Sequence, residues 1–504
     1  VLSSVKMIKA LGPESKERNM FDDLREFIHK ADELGECQIV EGADWDLELG
    51  AITEMMVATP HAPLLLFDKI VGYEAGYRVA SNIFTSLRRT GLGLGIDLPE
   101  DARGVDLVRL YREKIRHGLK PVPPVEVTTG PVKENILTGD DVNLFKFPTP
   151  KWHELDGGRY IGTGSMTITR DPDEGWVNLG TYRVQIHDES TIAVNIVPGH
   201  HGDLMRRKYW DKGQGCPAVV ICGQEPLLFA AGQFELPWGV SEYAYAGGLK
   251  DQPIVVTRGV STDLPIPATA EIALEGEMLP PEVETRPEGP FGEWPGYYAK
   301  GITDQPVMKV TAILHRHNPI IQGCPPFAKP SAYSVGKHIQ ISAGLWDELD
   351  QQMPGVKGVW NFEEGAVRSL IVVSLQQMYG GHAKQAGLLV ASSSRAMTTG
   401  RFVIVVDEDI DPSNTSEVLW ALGTRVEPDT AIEIVRGCWG YGSNPALPPE
   451  RRLRGDYTHS IAIILACRPY EWIKDFPPTV KSSPELLNRT REKWSWLFSG
   501  AKNE

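Results

Sequence analysis

Residues 160–171 read YIGTGSMTITRD, and WVNLGTYRVQIHD (176–188), TIAVNIVPG (191–199) and PAVVICGQE (217–225) repeat their texture of small, β-branched and polar residues. Turn signals such as Asp171-Pro172-Asp173 separate the runs. Short runs bounded by turns predict an antiparallel sheet or small barrel, interrupted by a helix over 202–212. Outward from this centre the period changes. FDDLREFIHKADEL (21–34) sets Phe21, Leu24, Phe27, Ile28 and Ala31 at helical spacing. QIVEG (38–42) reads as a strand, WDLELGAITEMMVAT (45–59) as a helix and PLLLFDKIVG (63–72) as a strand, so residues 20–120 form a small α/β unit. Prolines at 121, 123, 124, 131 and 148 mark a boundary or wrapping segment, and the glycine-rich 91–101 stretch reads as a loop.

C-terminal to the centre, helix and strand alternate again. SAYSVGKHIQISAGLWDEL (331–349) predicts a helix, and GVKGVWNF (355–362) and VRSLIVVSL (367–375) predict strands. GHAKQAGLLVASS (381–393) predicts a helix, RFVIVVDEDIDP (401–412) a buried strand ending in acids, and SEVLWALGTR (416–425) a helix with Ser416 as N-cap. SSPELLNRTREKWSWLF (482–498) starts a terminal helix at Ser483-Pro484 whose aromatic end calls for a surface to dock on, its own chain or a partner's. Residues 1–19 lack apolar periodicity and read as a loose tail. The expected fold is therefore α+β. It comprises the α/β unit at 20–120, a split β-barrel at 121–328, a C-terminal α/β domain at 329–482 and a helix at 483–504.

The 504 residues allow about three domains, and 41% apolar with 23% charged residues is an ordinary globular balance. A net charge of -15 excludes a nucleic-acid binder, which needs a basic footprint. Six cysteines without a CxxC pair point to reduced, mostly buried thiols and a cytoplasmic setting. With no secretory signal pattern and no apolar run near 18 residues, no membrane association is expected.

Chemistry concentrates in RPEGPFGEWPGYY (286–298). Glu288 and Glu293 flank a backbone held irregular by Gly289, Pro290 and Gly292, while Phe291, Trp294, Tyr297 and Tyr298 crowd around them. Two carboxylates converging in an aromatic pocket are suited to moving protons. Upstream stand Asn178 and Arg183 in VNLGTYR, His200 and His201 in VPGHH, and Glu242 in GVSEY. Amide, imidazole and carboxylate make an oxygen-rich set that suits Mn²⁺ or Mg²⁺ better than structural zinc. Strict strand alternation would place Asn178 and Arg183 on opposite faces unless Gly180 marks a bulge.

VNLGTYR, VPGHH, GVSEY, ATAEIALEG (268–276), EGPFGEWPGY (288–297), VDEDID (406–411) and VLWALGTR (418–425) resemble, in that order, the successive motifs of the UbiD-type decarboxylases. These are prenylated-FMN-dependent enzymes that include ferulic acid decarboxylase. The resemblance implies a fold with a cofactor-binding half and a C-terminal domain that forms the oligomer. Asn178, His201 and Glu242 match the family's Mn²⁺ ligands, which bridge to the cofactor phosphate. Glu242, with carbonyls near Leu179, Ala231, Gly232 and Phe234, matches its K⁺ site. Arg183, Glu288 and Glu293 match its catalytic network, with Glu293 as proton donor, while Arg395 and His200 fall near the cofactor. Trp294, Cys438, Trp439 and Tyr441 fall on the substrate side, and QGCPPFAKP (322–330) adds Pro325, Pro326 and Phe327.

The implied activity is reversible, non-oxidative decarboxylation of an aromatic or heteroaromatic acid, releasing CO₂. Alternatives are a cinnamic-type acrylic acid substrate, or a flavin-binding subunit of a larger carboxylase assembly. A flavin prenyltransferase would supply the cofactor, and a homodimer or higher homo-oligomer is expected. The residues name neither the acid nor the direction of reaction, and they do not separate cycloaddition from a single-bond adduct.

Overall fold

The computed structural model describes residues 20–59, 62–99, 101–116, 118–328, 336–362 and 369–498. The expected tail at 1–19, the first residues of the 331–349 helix and the end of the terminal segment lie outside the described residues. Asp23 caps the helix Leu24–Glu33 by accepting from Glu26 N, and Leu24, Phe27, Ile28 and Ala31 turn inward at the spacing expected of an amphipathic helix. A four-stranded mixed sheet follows: Cys37–Glu41, Leu64–Asp68, Arg78–Ser81 and, from far along the chain, Ile320–Gln322. The strand expected over 63–72 stops at Asp68 because Lys69 and Gly72 take positive φ. The glycine-rich stretch is only partly loop, since the helix Leu87–Gly93, capped by Ser86, runs into it.

The central runs form a ten-stranded sheet. Its order is Arg159–Gly162, Arg183–Ile186, Thr191–Asn195, Thr303–His315, Ile272–Met278, Cys216–Cys222, Ser165–Arg170 and Val177–Gly180. Asn135–Thr138 and Thr285–Glu288 both pair with the long strand Thr303–His315. Val177–Gly180 is one edge and Arg183–Ile186 lies next to the other, yet only Thr181 and Tyr182 separate them in the chain. Two residues span less than about 11 Å, so the sheet has to curl until its edges nearly meet. It closes into a split barrel around Val184, Ile192, Val220, Leu274 and Ile313. Asn178 and Arg183 therefore belong to different strands, and the expected bulge is not what relates them. A Cβ on Gly180 would lie 2.3 Å from the Tyr182 ring, so glycine lets that ring fold back at the crossing. The intervening helix is His201–Trp210.

The C-terminal sheet runs Val356–Asn361, Leu370–Leu375, Phe402–Asp407, His459–Ala466, Ile432–Cys438. Its inner pairs are parallel and its outer pairs antiparallel. Helices Lys337–Gln352, His382–Ser392 and Thr415–Arg425 accompany it. Continuous burial of Ile371, Val372 and Val373, and of Val403 to Val406, suits strands covered on both faces. One apolar core links the first helix to this sheet. Five of the six cysteines are buried, and all six are free thiols. Among the described residues no helix is long and apolar enough to cross a membrane. Ser483 caps Pro484–Lys493 as expected, but no side chain of this helix is buried, and Leu487 and Trp496 stand 53% and 62% exposed.

Two substitutions test the local physics. The N-cap of Thr415–Arg425 is Asn414, which accepts from Ser416 N and Glu417 N, and not Ser416. Asn414→Ala should cost about 1 kcal/mol in chemical denaturation, whereas Ser416→Ala should stay within about 0.5 kcal/mol. A Cβ on Gly157 would lie 1.9 Å from the Gly289 carbonyl oxygen. Gly157→Ala should thus displace the 289–290 turn and cost about 1–3 kcal/mol by the same assay.

Candidate active site

Arg183 and Asn195 are register partners on adjacent antiparallel strands, so their side chains share one face. Both reach Glu288, which ends the strand Thr285–Glu288 and is fully buried. Arg183 donates from Nε to Oε1 at 2.7 Å and from Nη2 to Oε2 at 2.8 Å. Asn195 Nδ2 donates to Oε2 at 2.8 Å and the Tyr160 hydroxyl to Oε1 at 3.2 Å. The other side of the guanidinium is turned to Glu293, with Nη1 3.2 Å from Oε1. Burial works against the Arg183 charge, but the Glu288 hydrogen bonds and the two carboxylates outweigh it and raise its pKa. Phe291 lies 5.4 Å beneath the guanidinium and 4.2 Å from the Tyr160 ring. The two glutamates do converge, on either side of one arginine.

Glu293 sits in a tight turn, where its N–H donates to Tyr297 O and its carbonyl accepts from Gly296 N. It lines a cavity of about 650 Å³ together with Asn178, Leu179, Arg183, His200, His201, Gly232, Phe234 and Glu242. Trp294 and Arg395 line the same cavity. Glu288 is not part of the wall; it stands behind Arg183. Arg395, on the short helix Ser394–Met397, approaches from the C-terminal side while its Nε donates to Glu348 at 2.8 Å. His200 is the exposed N-cap of His201–Trp210, its ring 6.2 Å from that of Tyr182.

At the other end of the cavity Glu242, 3% exposed, begins the helix Glu242–Lys250 and accepts from Leu179 N at 2.8 Å. Burial pushes its carboxyl up to about 8, against the pull of these backbone hydrogen bonds. Asn178 Nδ2 is buried without a hydrogen-bond partner among the described residues. Burial lowers the His201 pKa, favouring the neutral ring, which packs edge-on against Trp176 and Trp238. Gly232 caps the C-terminus of Pro226–Ala231, where carbonyls point out of the helix, and its Cβ position is 3.2 Å from Leu179 O. A buried carboxyl, an amide whose oxygen can ligate and a neutral imidazole, all lining one end of the cavity, fit a bound cation. Among the described residues there is no group of three His, Cys, Asp or Glu near enough to hold a metal, so the amide is needed to complete a set.

Four expected residues stand elsewhere. Ala231 is buried behind Gly232 and does not line the cavity. Phe327 packs against the His153 ring at 5.2 Å. Cys438 is buried at the end of Ile432–Cys438, and Trp439 is 61% exposed. These last two are carried off the cavity by a register shift between Arg436 and Cys438, with Gly437 at φ 73°. Of the three expected residues of this loop only Tyr441 reaches the cavity, with Gly442 and Ser443 beside it, and its ring is 4.9 Å from that of Trp294. Sequence reasoning missed Asn195 and Tyr160, because a strand residue's cross-strand partner carries no local signal. It also missed Lys300, whose Nζ is 3.9 Å from Glu293 Oε1 on the cavity wall.

Comparison with known proteins agrees with this architecture. Three models of the 3-octaprenyl-4-hydroxybenzoate carboxy-lyase match in order: the N-terminal domain over 28–110, the Rift-related domain over 124–329 and the C-terminal domain over 338–466. The chain is 30% identical to a phenolic acid decarboxylase of Sedimentibacter hydroxybenzoicus over 85% of its length and 89% of the relative's. It is 32% identical to a pyrrole-2-carboxylic acid decarboxylase of Pseudomonas aeruginosa, covering 81% and 83%. Among solved structures, the UbiD-class enzyme HmfF from Pelotomaculum thermopropionicum in complex with FMN superposes with a TM-score of 0.82. It is 27% identical, with 94% of this chain and 100% of that one covered. An evolved dimeric form of HmfF, in complex with prFMN, superposes with a TM-score of 0.78 at the same identity and coverage. By sequence, domain order and fold, the chain belongs to the UbiD family of carboxy-lyases.

Proposed function

We propose that this protein is a prenylated-FMN-dependent decarboxylase of an aromatic or heteroaromatic carboxylic acid. The observation that carries the reading is Arg183, fixed by buried Glu288 on one side and facing Glu293 across a cavity wall on the other. In this reading Asn178, His201 and Glu242 would hold Mn²⁺, and Glu242 with carbonyls near Leu179, Gly232 and Phe234 would hold K⁺, Ala231 contributing only through the helix end it shares with Gly232. Arg395 and His200, which line the same cavity, would help to hold the flavin. When bound, the prenylated flavin supplies the electron sink that departure of CO₂ from an sp² carbon requires.

The protein's own groups account for the rest. Overall, RCOO⁻ and H⁺ become RH and CO₂, so one proton has to reach the carbon that CO₂ leaves. Arg183 offers its Nη1 side to the carboxylate of the acid and holds it over the reacting position. Glu293 gives that proton, because Glu288 is sealed behind Arg183 and cannot reach the substrate. Trp294 and Tyr441, their rings 4.9 Å apart and inclined by 40°, line the cavity with aromatic surface, which favours an unsaturated ring. The exposed C-terminal helix supports a homodimer or larger homo-oligomer, and a flavin prenyltransferase would supply the cofactor.

The protein, coexpressed with a flavin prenyltransferase, should carry prenylated FMN and release CO₂ from one class of ring acids in a panel. Cofactor-loaded protein inactive on aromatic, heteroaromatic and cinnamic-type acids alike would refute the reading. Glu293→Gln should lower kcat by about 10²–10⁴-fold while leaving the flavin spectrum in place. Removing divalent cations with a chelator should release flavin, and Mn²⁺ should restore binding. Flavin retention after complete metal removal would count against the assignment of Asn178, His201 and Glu242.

A further inference from the structure

Glu288 accepts four hydrogen bonds, two on each oxygen. An ionised carboxylate offers about four acceptor directions, so this one has none left over. Two of the donors belong to Arg183. The other two, Asn195 and Tyr160, come from strands flanking Arg183–Ile186, at Thr191–Asn195 and Arg159–Gly162. Tyr160 is fully buried and lies outside the cavity wall, so it cannot touch a substrate. Its hydroxyl has one proton and two acceptors in reach, Glu288 Oε1 at 3.2 Å and Gln185 Oε1 at 3.3 Å. Gln185 Oε1 already accepts from Gly289 N at 3.2 Å, and the carboxylate is the stronger acceptor, so the proton goes to Glu288. Burial first, and then the Glu288 charge, push the Tyr160 pKa up and keep it a donor.

Arg183 has its Nε–Nη2 edge spent on Glu288, and only its remaining N–H groups serve the cavity. If Glu288 could rotate or accept a proton, that edge would be released and the guanidinium would swing toward Glu293. We propose that Asn195 and Tyr160 are positioning residues which, by filling the last acceptor directions of Glu288, hold it as a fixed anion and so aim the Nη1 side of Arg183 at Glu293 and the substrate carboxylate. In this arrangement Glu293 alone exchanges protons with the substrate, and Glu288 takes no part in proton transfer. The inference rests on the decarboxylase reading above, but its structural half can be measured without turnover.

The test uses the flavin-loaded wild type, Tyr160→Phe, Asn195→Ala and the double variant. Tyr160→Phe removes a single buried hydroxyl and keeps the ring against Phe291, so it is the variant least prone to misfolding. Each single variant should retain bound flavin and the wild-type thermal midpoint within a few degrees, yet lose at least tenfold in kcat. The double variant should fall less than the product of the single losses, because both residues act through one carboxylate. Independently of activity, NMR on arginine-labelled protein should show the Arg183 Nε proton exchanging with solvent at least tenfold faster in the variants.

A wild-type rate of Arg183 Nε exchange in Tyr160→Phe would overturn the proposal. So would losses of activity that merely follow losses of flavin or fold. Failure of the wild type to decarboxylate any acid would remove the functional reading, and the exchange measurement would then decide the positioning role alone.

Discussion

The buried pairing of Arg183 with Glu288 is the interaction on which the site depends. Neither charge is tolerable alone at this depth, and removing one partner of such a pair costs about 3–5 kcal/mol. The pair is also geometrically demanding, since Nε and Nη2 have to meet both carboxylate oxygens at once. Glu288 lies on a strand that pairs with Thr303–His315, while Arg183 lies across the curled sheet from it. The ion pair therefore fixes the loop that follows Glu288 relative to the barrel wall, and that loop carries Glu293 and Trp294.

Curling of the sheet sets everything else in place. Asn178 ends one edge and Arg183 starts near the other, and the two-residue crossing between them puts a polar, cation-seeking pole and an acid–base pole on one cavity. Each pole has its own electrostatic logic. At the first, the Glu242 carboxyl, the Asn178 amide and the His201 imidazole line one end of the cavity, a mixed donor set of the kind that suits a divalent cation. At the second, Arg183 and Lys300 stand against Glu288 and Glu293, and the Nη1 side of Arg183, the Lys300 ammonium and the Glu293 carboxyl face the cavity. A cavity divided in this way has room for the proposed cofactor at one end and for an acid at the other.

Much of the fold was legible because its signals are local. The helix from Leu24, the cap at Ser483 and the strand texture of 160–225 depend on neighbours within a few residues, and all appear where periodicity puts them. The errors arose where a longer-range packing decision overrode a local cue. Ser416 was the nearer capping residue, but Asn414 satisfies two backbone donors at once. Cys438, Trp439 and Tyr441 were candidates from one loop, but with a shift in strand register between Arg436 and Cys438 only Tyr441 of the three lines the cavity.

By itself the sequence determined the α+β class, the order of the motifs and the chemical types present: two glutamates beside an arginine, and an amide, an imidazole and a carboxylate upstream. Those follow from side-chain periodicity and residue chemistry, which do not depend on distant contacts. Only the tertiary structure decided that Arg183 is shared between the glutamates, that Glu288 is saturated by Asn195 and Tyr160, and that Glu293 alone of the two glutamates faces the cavity. Those facts rest on strand register and sheet curvature, which bring together side chains 93 to 128 positions apart along the chain.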